Sequence, residues 1–233
     1  MMRSNVALSI VHEEEKAEPL RVVVADDHPV CRYGVRAALK AMGHDVIAEV
    51  ASSNSLLDAA EHSACDMVIT DYIMPGDSHH DGHFMLQNLR RVRPDMPVVV
   101  MTSLRNLGLL KEAMREGIQG WVDKAEGVTE LAAAVGAARA GQTYVSKSIR
   151  SLLVKHEAKL ERRPVRLTHA EARVLRMSVS EGATLQVIAD RLGFTYKSAS
   201  KHKRAALAKL YVQNDMELYE YCRWVDLDDE LDR

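Results

Sequence analysis

Cysteine is scarce in this chain: only Cys31, Cys65 and Cys222 are present, odd in number and scattered. That excludes a disulfide framework and offers no zinc-ligand spacing, so reduced thiols in a cytoplasmic protein are expected. Long apolar runs are missing too, since no stretch approaches the roughly 20 residues of a membrane helix. The opening "MMRSNVALSIVHEEEKAEP" has a short apolar segment but no cleavage-site pattern. It reads as a flexible acidic tail over residues 1–19, not as a signal peptide. There is no internal repeat and no low-complexity tract. What is there is 233 residues, 47% of them apolar, enough for one large domain or two smaller ones.

The net charge of −2 conceals a strong asymmetry. Residues 1–140 are acidic by six charges, residues 141–211 basic by ten, and residues 212–233 acidic by six. A basic block between acidic flanks suggests a polyanion-binding module joined to something else.

The first part of the chain alternates. Apolar, β-branched runs stand at 22–25, 46–50, 67–70, 98–102 and, more briefly, 120–122. Between them lie helix-like segments at 30–42, 54–63, 83–92, 106–116 and 128–140. Nearly continuous apolar strands are those buried on both faces, so a doubly wound five-stranded parallel sheet is expected over residues 20–140. Residues 141–163 read as a partly helical linker with Ile149, Leu152, Leu153, His156 and Leu160 on one face, ended by Pro164.

The rest reads as a small all-α domain. Thr168 stands three residues before Glu171, a capping-box spacing. A helix to about Ser180, a turn at Glu181-Gly182, a second helix over 184–192 stopped by Gly193 and a third capped by Thr195 form a helix-turn-helix pattern. A fourth helix begins near Asn214 or Asp215. The ending "DLDDELD" reads as an acidic tail over 226–233.

Two adjacent carboxylates, Asp26 and Asp27, end the first strand. Side-by-side negative charges repel, so something must compensate. In an open parallel sheet, ligands sit beyond the carboxyl ends of the strands. Asp71 ends the third strand, Thr102 the fourth, and Lys124 follows the fifth. Carboxylates at one rim make an oxygen-ligand site suited to Mg²⁺. This order of residues resembles the receiver domains of response regulators, over about residues 20–140. The resemblance implies that Asp71 accepts a phosphoryl group from a phosphohistidine. It implies that Asp27, Asp71 and the backbone carbonyl of Ile73 hold Mg²⁺, with Asp26 acting largely through water. Thr102 and Lys124 would bind phosphoryl oxygens, and Trp121 stands where the family has its switch aromatic, commonly Tyr or Phe. The stretch "TDYIMPGDSHHDG" resembles the lengthened loop of the capsule-synthesis (Rcs-type) regulators. Its His79, His80 and His83 with Asp77 and Asp81 are either a transition-metal site or decoration of a turning surface loop.

On a helical wheel the third helix of the tail puts Ala199, Ala206 and Leu210 on one face and Lys197, Lys201 and Arg204 opposite, with Ser200 beside them. An apolar face turned inward and a basic face outward is what a major-groove reader requires. Lys197, Ser198, Ser200, Lys201 and Arg204 are candidate DNA contacts, with Lys203 and Lys209 toward the flank as contacts to backbone phosphate. The stretch "LTHAEARVL…EGATLQVIADRLGFTYKSASKHKRAALAKL" resembles the LuxR-type DNA-binding domain of NarL/FixJ regulators, over about 164–225. Tyr211 departs from the pattern, standing where the family ends the helix with Gly, so the turn before Val212 must tolerate a side chain.

The expected protein is therefore a transcriptional response regulator, not an enzyme. A histidine kinase or phosphotransfer protein would phosphorylate Asp71 and bias the chain toward a homodimer on double-stranded DNA. One rival is a phosphorylation-independent transcription factor acting as a heterodimer subunit. Another is a Mg²⁺-dependent phosphohydrolase with an aspartyl nucleophile. Such enzymes have two aspartates spaced two residues apart on one strand; here the pair is adjacent.

Overall fold

The structure, a computed structural model, describes residues 18–74, 82–157 and 166–224. Strands and helices alternate as β1 (Arg21–Ala25), α1 (Pro29–Ala41), β2 (Asp45–Val50), α2 (Ser53–His62), β3 (Met67–Asp71), α3 (His83–Val92), β4 (Val98–Thr102), α4 (Leu107–Met114), β5 (Gly120–Asp123) and α5 (Val128–Arg139). A last short strand, β6 (Tyr144–Val145), leads into α6 (Lys147–Glu157). All pairings are parallel and the strand order is β2-β1-β3-β4-β5-β6.

Alternate side chains of one strand serve opposite cores. Val23 and Ala25 of β1, with Val98 and Val100 of β4, join Leu56, Leu86 and Leu109 under α2, α3 and α4. Val22, Val24, Val99 and Met101 face the other way, against Val35 and Leu39 of α1 and Leu131 and Val135 of α5. β3 and β4 are buried along their whole length, which explains their unbroken apolar runs.

The sheet has six strands, not the five expected. Tyr144 N donates to Gln119 O and Ser146 N to Trp121 O, so β6 extends the sheet beyond β5. The following helix is anchored at Ile149, which is buried, and at Ser148, whose hydroxyl donates to Asp123 and Glu126. Residues 144–149 of the expected linker are thus packed against the sheet. Residues 158–163 of the linker, Leu160 among them, and both acidic tails, apart from residues 18–19, lie outside the described residues, as does the side chain of His156.

The C-terminal part holds α7 (His169–Ser180), α8 (Leu185–Leu192), α9 (Tyr196–Lys209) and α10 (Asp215–Trp224). The capping box forms: Thr168 Oγ1 accepts from Glu171 N, and Thr168 N donates to Glu171 Oε2. Gly193 closes α8 in the left-handed region at φ 66°. Tyr211 takes the same conformation, φ 58°, where a side chain costs about 1–2 kcal/mol. The turn does tolerate the residue, and the ring is put to use, as described below.

The core of the first part continues into the second. Leu109 and Leu110 of α4 share one apolar cluster with Leu210, Val212, Leu218 and Tyr221. Gly108 permits a close approach at this seam: a Cβ there would stand 2.2 Å from the Leu210 carbonyl oxygen. Lys111 places its ammonium 4.0 Å from the centre of the Tyr211 ring, a cation–π contact across the junction.

Candidate functional site

The carboxyl ends of β1 and β3 bring Asp26, Asp27 and Asp71 together, because these two strands are neighbours in the sheet. His28 joins them, and each of the four residues offers a ligand atom within 4.8 Å of the others'. The backbone orients this cluster. Asp71 Oδ1 accepts from Tyr72 N at 2.7 Å, and Asp26 Oδ1 accepts from His28 N at 2.9 Å. His28 Nδ1 lies 2.7 Å from Asp27 Oδ1. An oxygen-rich set of this kind fits a hard divalent cation.

Lys124 completes the charge balance. Its ammonium stands 2.6 Å from Asp71 Oδ2 and 2.7 Å from Asp26 Oδ2. Asp26 is therefore held directly, beyond the water-mediated part expected of it. Burial pushes the Asp71 carboxyl above its ordinary value, against the opposing pull of Lys124; Asp26 adds to the rise. Burial alone would lower Lys124, but its bonds to both aspartates prevail and hold it above the usual lysine value. The compensation demanded by two adjacent aspartates is thus supplied partly by Lys124 itself.

Thr102 is buried at the end of β4 and its hydroxyl oxygen accepts from Leu104 N at 3.0 Å. Trp121 is fully buried and packs at a tilt on Tyr72, ring centroids 6.4 Å apart. Ile73 is half-buried beside Asp71. Beyond β5, Asp123 ties three elements: Arg105 donates to it from the β4–α4 loop, Ala125 N from the following turn and Ser148 from α6. Burial would raise the Asp123 carboxyl, but these donors hold it below its ordinary value.

An open cavity of about 460 Å³ sits over this rim, lined by Asp71, Thr102, Lys124, Arg105, Asn106 and, from α10, Glu217 and Glu220. The sequence offered no sign that α10 reaches this place. Adjacency to Asp26 and Asp27 was a signal for His28. Of the loop histidines, His79 and His80 lie outside the described residues with Asp77 and Asp81, and His83 is buried at the start of α3 near Gln87 and Glu116.

The basic helix α9 divides its candidates. Lys197, Lys201 and Arg204 are exposed, while Ala199 and Ala206 are buried beneath them. Ser198 is half-buried in the cap, its N–H donating to Thr195, and Ser200 is half-buried too. Lys203 is largely covered, its side chain 15% exposed and paired with Asp215 at 2.8 Å. Lys209 does not fit the expectation of a phosphate contact. Its side chain is 8% exposed, and its ammonium donates to Glu171 Oε2 at 2.6 Å and to the Arg166 carbonyl at 2.9 Å. The wheel placed it toward the flank of the reading face, but tertiary packing turned that flank onto α7. Among the described residues no helix is long and apolar enough to cross a membrane.

Comparison with known proteins agrees with this geometry. The family model described as the response regulator receiver domain matches residues 22–136. The transcriptional regulatory protein RcsB of Escherichia coli K12 is 32% identical over 209 residues, 89% of this chain and 96% of RcsB. Among solved structures, two RcsB dimers bound to two parallel DNAs match with a TM-score of 0.80 at 32% identity, over 89% of this chain and 100% of the matched one. RcsB of Salmonella enterica serovar Typhimurium, bound to promoter P1flhDC in the presence of phosphomimetic BeF3−, matches with a TM-score of 0.80 at 31% identity, over 88% and 98%. The acid cluster with its lysine at the carboxyl end of the sheet, the helix-turn-helix beyond it, and this likeness along almost the whole chain lead to one conclusion: the chain belongs to the NarL/FixJ-type response regulators, the family of RcsB.

Proposed function

We propose that the chain is a phosphorylation-dependent, DNA-binding transcriptional regulator. One observation carries the reading: Asp26, Asp27 and Asp71 meet Lys124 at a single rim, beside a cavity open to Asp71. A histidine kinase or phosphotransfer protein would be the donor, with double-stranded DNA and a second copy of the chain as the other partners. Residues 20–140 with β6 and α6 form the receiver in this reading, and 164–225 the DNA-binding domain. The solved RcsB relatives, dimers on DNA and a phosphomimetic complex, support it.

An Asp71 oxygen attacks the phosphorus of a phosphohistidine as the phosphorus–nitrogen bond breaks, the imidazole leaving with the electron pair. Such a transfer needs in-line placement and charge neutralisation more than a base. Asp27, Asp71 and the Ile73 carbonyl would hold Mg²⁺, with Asp26 beside them, and the ion would supply neutralisation of phosphoryl charge. Lys124, now paired with Asp26 and Asp71, would pair with a phosphoryl oxygen. The Thr102 hydroxyl, now accepting from Leu104 N, donates to another. Turning Thr102 disturbs the loop that leads into α4, and Trp121, packed on Tyr72 next to Asp71, is placed to respond.

Lys197, Lys201 and Arg204 are the contacts to DNA, with Ser198 and Ser200 at shorter reach. Lys203 contributes only if its pair with Asp215 opens. The heterodimer alternative is not favoured, because the phosphoacceptor set is complete. The test is affinity for operator duplexes recovered by genome footprinting, with and without acetyl phosphate. Wild type is expected to bind at least about tenfold tighter when phosphorylated, equivalent to about 1.4 kcal/mol. Asp71→Asn should show no such gain. Equal affinity in both states would make the chain a phosphorylation-independent binder. Replacing Lys197, Lys201 or Arg204 with Ala should each lower the salt dependence of binding by about one ion where the residue meets phosphate.

A further inference from the structure

The cavity over Asp71 holds about 460 Å³, room for a small phosphodonor as well as for the group it transfers. Among the described residues that line it, Lys124 and Arg105 carry permanent positive charge. They stand at different depths. The Lys124 side chain is 17% exposed and pairs with Asp71, whereas that of Arg105 is 56% exposed. Arg105 lies in the β4–α4 loop, three residues beyond Thr102, and is held there. Its Nη2 donates to Asp123 Oδ1 at 3.1 Å and stands 2.8 Å from Oδ2. Asp123 is itself pinned, buried at the end of β5 and paired in register with Thr102. It also accepts from Ala125 N and Ser148 Oγ. Both contacts to Asp123 use one nitrogen of a guanidinium that has several N–H donors, and Nη1 makes a long bond, 3.3 Å, to the Leu104 carbonyl. Asp123 therefore aims the guanidinium by one corner without using up its donors. Another part of the wall is acidic: Glu220 accepts from Asn106 Nδ2 at 3.0 Å, and Glu217 from Gln213 N at 2.8 Å.

We propose that Arg105 is a specificity-determining residue: it receives the anionic leaving group of an acyl phosphate, so that the pocket takes small acyl phosphates in preference to donors with a neutral leaving group. The inference rests on Asp71 being the phosphoacceptor, as proposed above, and adds the residue that chooses among donors. The chemistry separates those donors. An Asp71 oxygen attacks the phosphorus of acetyl phosphate, the bond from phosphorus to the acyl oxygen breaks, and acetate leaves with the electron pair and a negative charge. With phosphoramidate, whose nitrogen is already protonated, the phosphorus–nitrogen bond breaks and neutral ammonia leaves with the electron pair. In-line transfer puts the leaving group across phosphorus from the buried Asp71, toward the mouth where Arg105 lies. A carboxylate departing there is repelled by Glu217 and Glu220 and attracted by Arg105. A planar guanidinium matches a carboxylate in shape, and one already held in place needs no reorganisation as the charge appears. Phosphohistidine also releases a neutral ring, so Arg105 tunes the small-donor route and not the protein one.

Second-order rate constants for labelling of the full chain by acetyl phosphate and by phosphoramidate, each with Mg²⁺, are read by intact mass. Their ratio is formed within one preparation, so any loss of folded protein cancels. Arg105→Gln should lower the acetyl phosphate to phosphoramidate ratio at least about tenfold, in keeping with the cost of losing one donor to a developing anion. Arg105→Lys keeps the charge and should lower it less than Arg105→Gln does. A smaller fall for Arg105→Gln overturns the proposal, whether both donors slow together or neither slows. Equal falls for the two variants overturn it as well, since the shape of the loop and not the charge would then set the ratio. A wild-type chain labelled by neither donor overturns the phosphoacceptor reading itself.

Discussion

Asp71→Asn will take up no phosphoryl group from acetyl phosphate in the presence of Mg²⁺, with labelling at least about a hundredfold below wild type, a barrier rise of about 2.7 kcal/mol or more. The reason is chemical before it is structural. An amide has no carboxylate oxygen to attack phosphorus, and it brings one negative charge fewer to the rim. The fold should survive the change. Asp71 is buried among like charges, and burial and Asp26 already push its carboxyl up, so a neutral isostere relieves repulsion there while Lys124 keeps Asp26. A melting temperature equal to or above that of wild type is the expected companion result. Labelling at the wild-type level would place the acceptor elsewhere.

Lys209→Met will unfold the helix-turn-helix region far more readily while leaving the ionic character of DNA binding alone. Lys209 and Glu171 are each 8% exposed and pair at 2.6 Å, so removing the lysine strands a buried carboxylate. Breaking such a pair costs about 3–5 kcal/mol. For a helical unit of this size that is a melting shift of at least about 12 °C, by the usual scaling of about 4–8 °C per kcal/mol. Acid should narrow the gap between the two proteins. Burial pushes the Glu171 carboxyl up, but the bonds from Lys209 and Thr168 prevail and hold it below its ordinary value. A depressed carboxyl contributes stability that is present above its unfolded value, near about pH 4.3, and lost as pH falls through its folded value. The wild-type advantage should therefore shrink below about pH 4 as Glu171 protonates in either protein. Lys209→Met paired with Glu171→Gln should recover much of the lost stability. A fall in the salt dependence of DNA binding, with melting unchanged, would restore Lys209 to the DNA contacts.

The two parts of the chain differ in how openly they announced themselves. β3 and β4 stand out because strands buried on both faces need unbroken apolar runs, and α7 because its capping box sets Thr168 and Glu171 at one spacing. β6 was missed for the opposite reason. Two residues, Tyr144 and Val145, are too few to show a period, and only the exposed edge of β5 makes them a strand. Lys209 looked like a flank contact to phosphate, as Lys203 did, because a helical wheel knows the direction of a side chain but not what lies opposite. His28 was legible only as a neighbour of Asp26 and Asp27, and Glu220 was not legible at all.

Taken by itself, the amino-acid sequence determined the doubly wound sheet, the order of acids along its rim, the helix-turn-helix and the basic helix, all of which follow from local period, capping and strand-end position. The tertiary structure alone decided which lysines face solvent, that Lys124 holds Asp26 as well as Asp71, and that α10 forms a wall of the Asp71 cavity. The physical reason is separation. A period or a cap is a relation among residues a few positions apart, whereas the bond from Asn106 to Glu220 joins residues 114 positions apart and exists only because two apolar faces, on α4 and α10, are buried against each other.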